Sequence, residues 1–277
     1  MGRSFRALLP SIRRCPCGPG KENPKLSIEV LEPFFDEGWI TEVIRPVKSG
    51  KEATVYVCRA GARAGEELVA AKVYRSTHQR GFKNDSMYWE GGTRALSRRT
   101  KLAMARRSAF GRAATFSLWI SREKETLERL HAAGASVPRP ITQLGTSFLM
   151  SWIGDEEEAA PQLRQVTLES GRAQRVFDFL VRQVELWLAH DVVHADLSEY
   201  NVLFWRGRPT VIDFPQAIDP RFNRNAYSLL QRDLANLARP FQRAGVRVDP
   251  TALATAMWER WLHSDAWLGL PEGASVE

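Results

Sequence analysis

Between His194 and Phe214 the chain reads His-Ala-Asp-Leu-Ser-Glu-Tyr-Asn-Val-Leu-Phe-Trp-Arg-Gly-Arg-Pro-Thr-Val-Ile-Asp-Phe, and no other stretch constrains the fold as much. Val202-Leu203-Phe204 and Thr210-Val211-Ile212 have the β-branched and aromatic content of strands, and Gly207-Arg208-Pro209 between them reads as a turn. The hairpin so predicted brings Asn201 and Asp213 to the same end. Asp196 lies five positions before Asn201. With Asp196 as a base and Asn201 and Asp213 as hard-oxygen metal ligands, the three converge on a space suited to Mg²⁺ and a phosphate.

The 277 residues suffice for one or two domains with a sizeable core, and a hydrophobic fraction of 44% is that of an ordinary globular protein. A net charge of +7 suggests an anionic partner without choosing among nucleotide, nucleic acid and acidic surface. Three cysteines, two of them in Cys15-Pro16-Cys17, make neither a disulfide framework nor a four-ligand zinc site, so a reducing cytoplasmic setting is the simplest. No apolar run approaches the roughly 18 residues of a membrane span. Residues 1–25, with Arg3, Arg6, Arg13 and Arg14 and no acid before Glu22, read as a flexible basic tail rather than a transit peptide.

Along the chain, Leu26 to Phe35 has mixed helical spacing and stops at Gly38. Trp39 to Ile44 alternates like a strand, Pro46 onward reads as a turn containing Gly50, and Thr54 to Cys58 reads as the returning strand. Such a hairpin can lay backbone amides over a polyphosphate. Leu68 to Tyr74 is an apolar strand interrupted by Lys72, which must meet a carboxylate or a phosphate. In the helix predicted from Trp119 to Leu130, Ile120, Glu123, Leu127 and Leu130 share one face, so Glu123 is the candidate partner. The intervening insert, residues 75–117, carries seven basic residues from Arg94 to Arg112 and reads as a polar loop with one helical turn at Leu102–Ala105. A loop of this length and charge is solvated or binds RNA or an acidic protein. Ile141–Leu144 and Phe148–Met150 form another predicted hairpin. Ser151 to Gly154, before the acidic run Asp155–Glu158, reads either as a plain loop or, given two lobes, as a hinge whose Ser151 and Ile153 backbone groups read an adenine edge. Val176–Leu188, Tyr227–Leu237 and Ala252–Trp261 are predicted helices. His194 reads as a residue that fixes its loop, and Ser198 as a candidate phosphate contact.

These motifs together resemble the RIO family of atypical protein kinases, closest to its first subfamily. The resemblance rests on Ser-Gly-Lys-Glu-Ala-Thr-Val-Tyr at 49–56, Ala-Lys-Val-Tyr at 71–74, Gly-Phe-Lys-Asn-Asp at 81–85, Trp119 with Glu123, Met150 with Ile-Gly-Asp at 153–155, and His-Ala-Asp-Leu-Ser-Glu-Tyr-Asn at 194–201. Ile212-Asp213 and Gly-Val-Arg-Val at 245–248 extend it. The Asp, Asn, Asp order also matches the kinase signature set. The resemblance implies an α+β, two-lobed protein-kinase-like fold, with an antiparallel N-lobe sheet and helix over residues 26–150, a reduced helical C-lobe without activation segment over 151–266, and a C-terminal tail at 267–277. It implies that Ser49, Gly50, Lys51, Glu52 and Val55 cover the phosphates of ATP, that Lys72 pairs with Glu123, that Met150 is the gatekeeper, and that Ser151 and Ile153 lie at the hinge. It implies that Asp196 is the catalytic aspartate and that Asn201 and Asp213 hold Mg²⁺, with Mn²⁺ as an alternative ion. Asp213 is further implied as a phosphoryl acceptor in an ATPase cycle.

Three departures from ordinary kinases stand out. Ala195 replaces the Arg before the catalytic Asp, Asp213-Phe214-Pro215 replaces Asp-Phe-Gly, and no Ala-Pro-Glu follows Asp213. A peptide-binding platform of the usual kind is therefore not expected. The leading functional expectation is an ATP-dependent serine/threonine kinase acting on a protein or on itself. A switch-like ATPase on a ribosomal or RNA–protein assembly, contacted through the basic insert, is the second. A small-molecule phosphotransferase of the aminoglycoside-kinase type ranks third, because such enzymes carry His-Gly-Asp where this chain has His-Ala-Asp.

Overall fold

Strong β-formers build an antiparallel sheet from the first part of the chain, its middle strand Leu68–Tyr74 buried on both faces. The computed structural model describes residues 29–50, 53–75, 102, 106 and 109–264. Strands β1 (Ile40–Ser49), β2 (Ala53–Ala60), β3 (Leu68–Tyr74), β4 (Pro140–Leu144) and β5 (Ser147–Ser151) lie in the order β1-β2-β3-β5-β4, every pair antiparallel. Because side chains alternate across a sheet, Tyr56, Cys58, Val69, Ala71 and Val73 share one face and pack on Leu31 and Phe34 beside the short helix α1 (Glu32–Asp36). The opposite face carries Lys72, Tyr74 and Phe148 toward the rest of the molecule. Gly61 lets the β2–β3 connection close on α1, since a Cβ there would stand 2.1 Å from the Gly38 carbonyl oxygen.

Helix α2 (Ala109–Ala132) links β3 to β4 and buries Ile120, Leu127 and Leu130. Beyond the sheet come a 3₁₀ turn (Leu163–Gln165), helix α3 (Ser170–Ala189), the hairpin β6 (Val202–Trp205) and β7 (Arg208–Val211), and helices α4 (Ala226–Arg243) and α5 (Pro250–Leu262). Asp249 caps α5 by accepting from the Thr251 and Ala252 amides. Trp187, Phe214, Leu234, Leu237, Phe241, Met257 and Trp261 join Ile120 and Phe148 in one continuous core. Each such side chain contributes about 1.5–3 kcal/mol on burial. This is the expected α+β, kinase-like arrangement.

Three sequence expectations are corrected. Pro46 to Ser49 belongs to β1 rather than to a turn, with Pro46 opposite Tyr56; β1 is an edge strand with register shifts, where a missing N–H is tolerated. The turn of the later hairpin is Arg206-Gly207, at φ 48° and 85°, so Arg208 and Pro209 are paired strand residues and Ile212 lies past the end of β7. Two consecutive left-handed residues match the right-handed strand twist of a two-residue hairpin. The insert is shorter than expected, because α2 already begins at Ala109; Ala109, Arg112, Ala113 and Ala114 are good helix formers that outweigh Gly111. The Leu102 carbonyl accepts from the Arg106 amide at 3.0 Å, while residues 103–105 of the turn expected at Leu102–Ala105 lie outside the described ones. The other residues of 76–108 lie outside the described ones.

Candidate active site

Lys72 occupies the middle of β3 and is 8% exposed. A buried ammonium needs carboxylates, and it has two: Glu123 Oε1 at 2.6 Å and Asp213 Oδ1 at 2.7 Å. Three separate parts of the chain, β3, α2 and the residue after the β6–β7 hairpin, thus meet at one nitrogen. Glu123 also accepts from the Tyr74 hydroxyl, two residues along β3 on the same face. Burial pushes the Glu123 carboxyl up to about 7, with Lys72 opposing and Asp213 adding to the rise. Burial disfavours the charge on Lys72, yet its two carboxylates outweigh it and hold the ammonium above its usual value. Burial likewise opposes ionisation of Asp213, but Lys72 draws its carboxyl below the usual range. Asp213 keeps 40% of its side chain exposed, so an anionic oxygen faces the cleft.

The loop from His194 to Asn201 supplies the other groups. His194 is buried, its ring tilted at 46° to Phe214 with the centroids 4.5 Å apart. Its Nδ1 accepts from the Asp196 amide at 3.3 Å while Nε2 meets the Ile212 carbonyl at 3.2 Å, an arrangement that requires the proton on Nε2. Burial lowers its pKa to about 4, so it is a neutral strut, as the sequence reading held. Asn201 Nδ2 donates to the Asp196 carbonyl at 2.9 Å, leaving the amide oxygen as a ligand atom, and the Asn201 carbonyl accepts from the Ile212 amide at 2.9 Å. That last bond brings Asn201 beside Asp213. The Asp196 carboxyl is raised by desolvation and by Asp213, against Arg232 and Asn201. Ser198, half-buried, accepts from the Asn201 amide through its carbonyl at 3.0 Å.

Above the cleft, Val55 stands opposite Lys72 in the β2–β3 register and Met150 opposite Ala70 in the β3–β5 register, which puts both on the sheet face that carries the ammonium. The Gly50 amide donates to the Ala53 carbonyl at 2.9 Å, and Ser49 accepts from Arg75. Lys51 and Glu52 lie outside the described residues. Ser151 has its amide on the Arg139 carbonyl at 2.8 Å and its hydroxyl on the Arg139 amide at 2.9 Å. The Ile153 carbonyl accepts from Ala160 at 2.9 Å. The acidic run is a pinned turn: Arg59 meets Glu156 at 2.7 Å and Arg45 donates to the Glu157 carbonyl at 2.8 Å.

Two groups escaped the sequence reading. Asp233 on α4, 1% exposed, accepts from the buried amides of Ala195 at 2.6 Å and Leu197 at 3.0 Å, and so fastens both sides of Asp196. Burial raises its carboxyl to about 7. Neighbouring Arg232 donates to the Ala195 carbonyl. The available signal was an acid inside the apolar stripe Leu229, Leu230, Leu234 and Leu237, the same pattern that exposed Glu123.

An Asp and an Asn offering hard oxygens, with a lysine set among carboxylates, fit a magnesium nucleotide. Mg²⁺ takes one or two protein ligands and completes its shell with phosphates and water, so two protein oxygens suffice. Fold and donor set define a phosphotransferase of protein-kinase type. The model of the RIO domain family matches residues 54–253, and the chain belongs to the RIO family of atypical serine/threonine protein kinases. It is 32% identical over 189 residues to the RIO-type serine/threonine-protein kinase Rio1 of Thermoplasma acidophilum, covering 68% of this chain and 92% of that one. To the serine/threonine-protein kinase rio1 of Schizosaccharomyces pombe it is 30% identical over 237 residues, spanning 80% of this chain but 44% of the yeast protein. Among solved structures, the Rio2 kinase from Chaetomium thermophilum in an ADP/Mg²⁺-phosphoaspartate complex aligns over 83% of this chain and 64% of that chain, at a TM-score of 0.58 and 22% identity, a likeness of fold.

Proposed function

We propose that the chain transfers the γ-phosphoryl group of ATP to serine or threonine hydroxyls of a protein, its own included. The convergence of Glu123 and Asp213 on Lys72, at 2.6 and 2.7 Å, carries this reading. Lys72 fixes the α/β end of the triphosphate, and Glu123 fixes Lys72. Asn201 and Asp213 would hold Mg²⁺ or Mn²⁺, and the ion would supply positive charge against the phosphates. Asp196 orients the acceptor hydroxyl and takes its proton as the new P–O bond forms and the bond to ADP breaks. Val55 and Met150 bound the nucleotide from above, the Ser151 and Ile153 backbone lies beside the adenine edge, and the loop from Ser49 through Lys51 and Glu52 covers the phosphates, with Ser198 below them. Residues 26–150 and 151–266 act as the two lobes, in a cytoplasmic setting. Incubation with γ-labelled ATP and Mg²⁺ tests this: wild type should incorporate label, and Asp196→Ala and Asp213→Ala should not.

A second reading has support of its own. The Rio2 relative's structure is described as a phosphoaspartate complex, and Asp213 here combines a lowered pKa with an exposed oxygen. In that reading an Asp213 oxygen bonds to the γ-phosphorus as the bond to ADP breaks, water then displaces the carboxylate to give inorganic phosphate, and the cycle drives an RNA–protein assembly contacted through residues 75–117. Label that hydroxylamine removes supports this second route; label that survives hydroxylamine and appears as phosphoserine supports the first.

A further inference from the structure

At the far end of the β6–β7 hairpin from Asn201 and Asp213 lies a second basic site. A pocket of about 290 Å³ is lined by Arg172, Arg175 and Arg182 of α3 and by Arg208 of β7, over a floor that includes Val176 and Phe179. On a helix of 3.6 residues per turn, positions 172, 175, 176, 179 and 182 fall on one side. The hairpin closes over that side: Arg172 sits 5.3 Å from the Phe204 ring centroid, and a Cβ on Gly207 would be 3.4 Å from Arg172 Nη2. Glycine at 207 is required twice over, by its φ of 85° and by this approach.

The charge of the pocket is not neutralised from within. Among the described residues, none of the four guanidiniums is within ion-pair distance of a carboxylate, although the acids of α3 are near in sequence. Glu185 pairs with Arg260, and the Asp178 carboxylate accepts from Gln174 rather than from an arginine of the pocket. Four like charges held around one concavity repel one another, and a dianion relieves that repulsion. Guanidinium forks match phosphate oxygens in pairs. The volume is at the small end of ligand pockets, room for one phosphorylated side chain and its neighbour rather than a run of stacked bases. The apolar floor suits a flanking aliphatic or aromatic residue.

We infer that this pocket docks a phosphoserine- or phosphothreonine-bearing protein segment, remote from the phosphotransfer cleft. Arginine clusters serve phospho-motif recognition elsewhere. The inference does not rest on catalysis by the chain, and the test is made with the full-length Asp196→Asn protein, so that turnover cannot affect it. The probe is a fluorescent degenerate nonapeptide pool with a fixed central phosphoserine, compared by anisotropy with the same pool carrying serine and with a mixed-sequence single-stranded RNA 12-mer. The phosphorylated pool should bind at least tenfold more tightly than the serine pool. Arg175→Glu with Arg182→Glu should erase that difference, and Arg208→Gln, a milder change at an exposed position, should reduce it about threefold while circular dichroism stays that of the parent. Equal binding of the two peptide pools overturns the proposal. So does RNA that binds more tightly than the phosphopeptides and is lost with the same arginines.

Discussion

Glu123 and Asp233 are the two deeply buried acids of the molecule's working parts, each 1% exposed and each pushed up to about 7 by burial. Their partners differ in kind. Glu123 faces side chains, the Tyr74 hydroxyl and the Lys72 ammonium that it shares with Asp213. Asp233 faces two backbone amides on a loop whose shape it fixes. The first carboxylate organises ligand chemistry and can lose its charge when its cation moves; the second holds geometry and cannot be released without leaving two buried N–H groups unpaired. Function and framework therefore use the same residue chemistry with opposite demands on exchangeability.

The largest effect should come from breaking the framework acid. Asp233→Ala leaves the Ala195 and Leu197 amides unsatisfied and should cost about 3 kcal/mol or more, read as a lowered urea midpoint, together with loss of phosphoryl transfer. Lys72→Met should abolish transfer with a smaller stability loss than Asp233→Ala, because Glu123 can take up a proton instead of remaining a bare buried charge. Adding Glu123→Leu to Lys72→Met should restore stability and not activity. A Lys72→Met protein as unstable as Asp233→Ala would erase the distinction drawn between the two acids.

The same comparison made Glu123 legible in the sequence and Asp233 not. Lys72 interrupts an apolar strand, so a carboxylate had to be sought, and helical spacing supplied it. Asp233 also interrupts an apolar helical stripe, but its partners are backbone amides, which every residue has, so no complementary side chain in the sequence pointed to it. Ala195 and Asp213 adopt φ of 62° and 72°, conformations that nothing in their identities foretells. The sheet, the hairpin that pairs Asn201 with Asp213 and helices α3 to α5 were readable from periodicity. The start of α2 at Ala109 was not, since Gly111, Thr115 and Ser117 obscure the helix formers Ala109, Arg112, Ala113 and Ala114.

Changing pH acts on Asp233 and His194 with opposite sign. Asp233 has a folded pKa of about 7 against an ordinary 3.8, so the stability it contributes is greatest below about pH 4 and is lost as pH rises toward 7. Asp233→Asn should therefore gain stability relative to wild type over that interval, measured as the difference in urea midpoints at several pH values; a difference that shrinks with rising pH contradicts the assignment. His194, lowered from 6.5 to about 4, works the other way: its contribution is present above 6.5 and is lost as pH falls toward 4.

The smallest expected effect is at Ala195, between the two amides that Asp233 holds. A left-handed conformation costs a residue with a Cβ about 1–2 kcal/mol, and Ala195→Gly removes that strain at the loss of one buried methyl. The melting temperature should rise by a few degrees or stay level, with transfer activity retained.

The central claim, that Lys72, Asn201 and Asp213 share one magnesium nucleotide, is tested most directly by calorimetric titration of ATP with and without Mg²⁺. Wild type should bind ATP at least tenfold more tightly with the metal present, and Asp213→Asn should lose that enhancement. Equal enhancement in both proteins, or no binding by wild type, would contradict it.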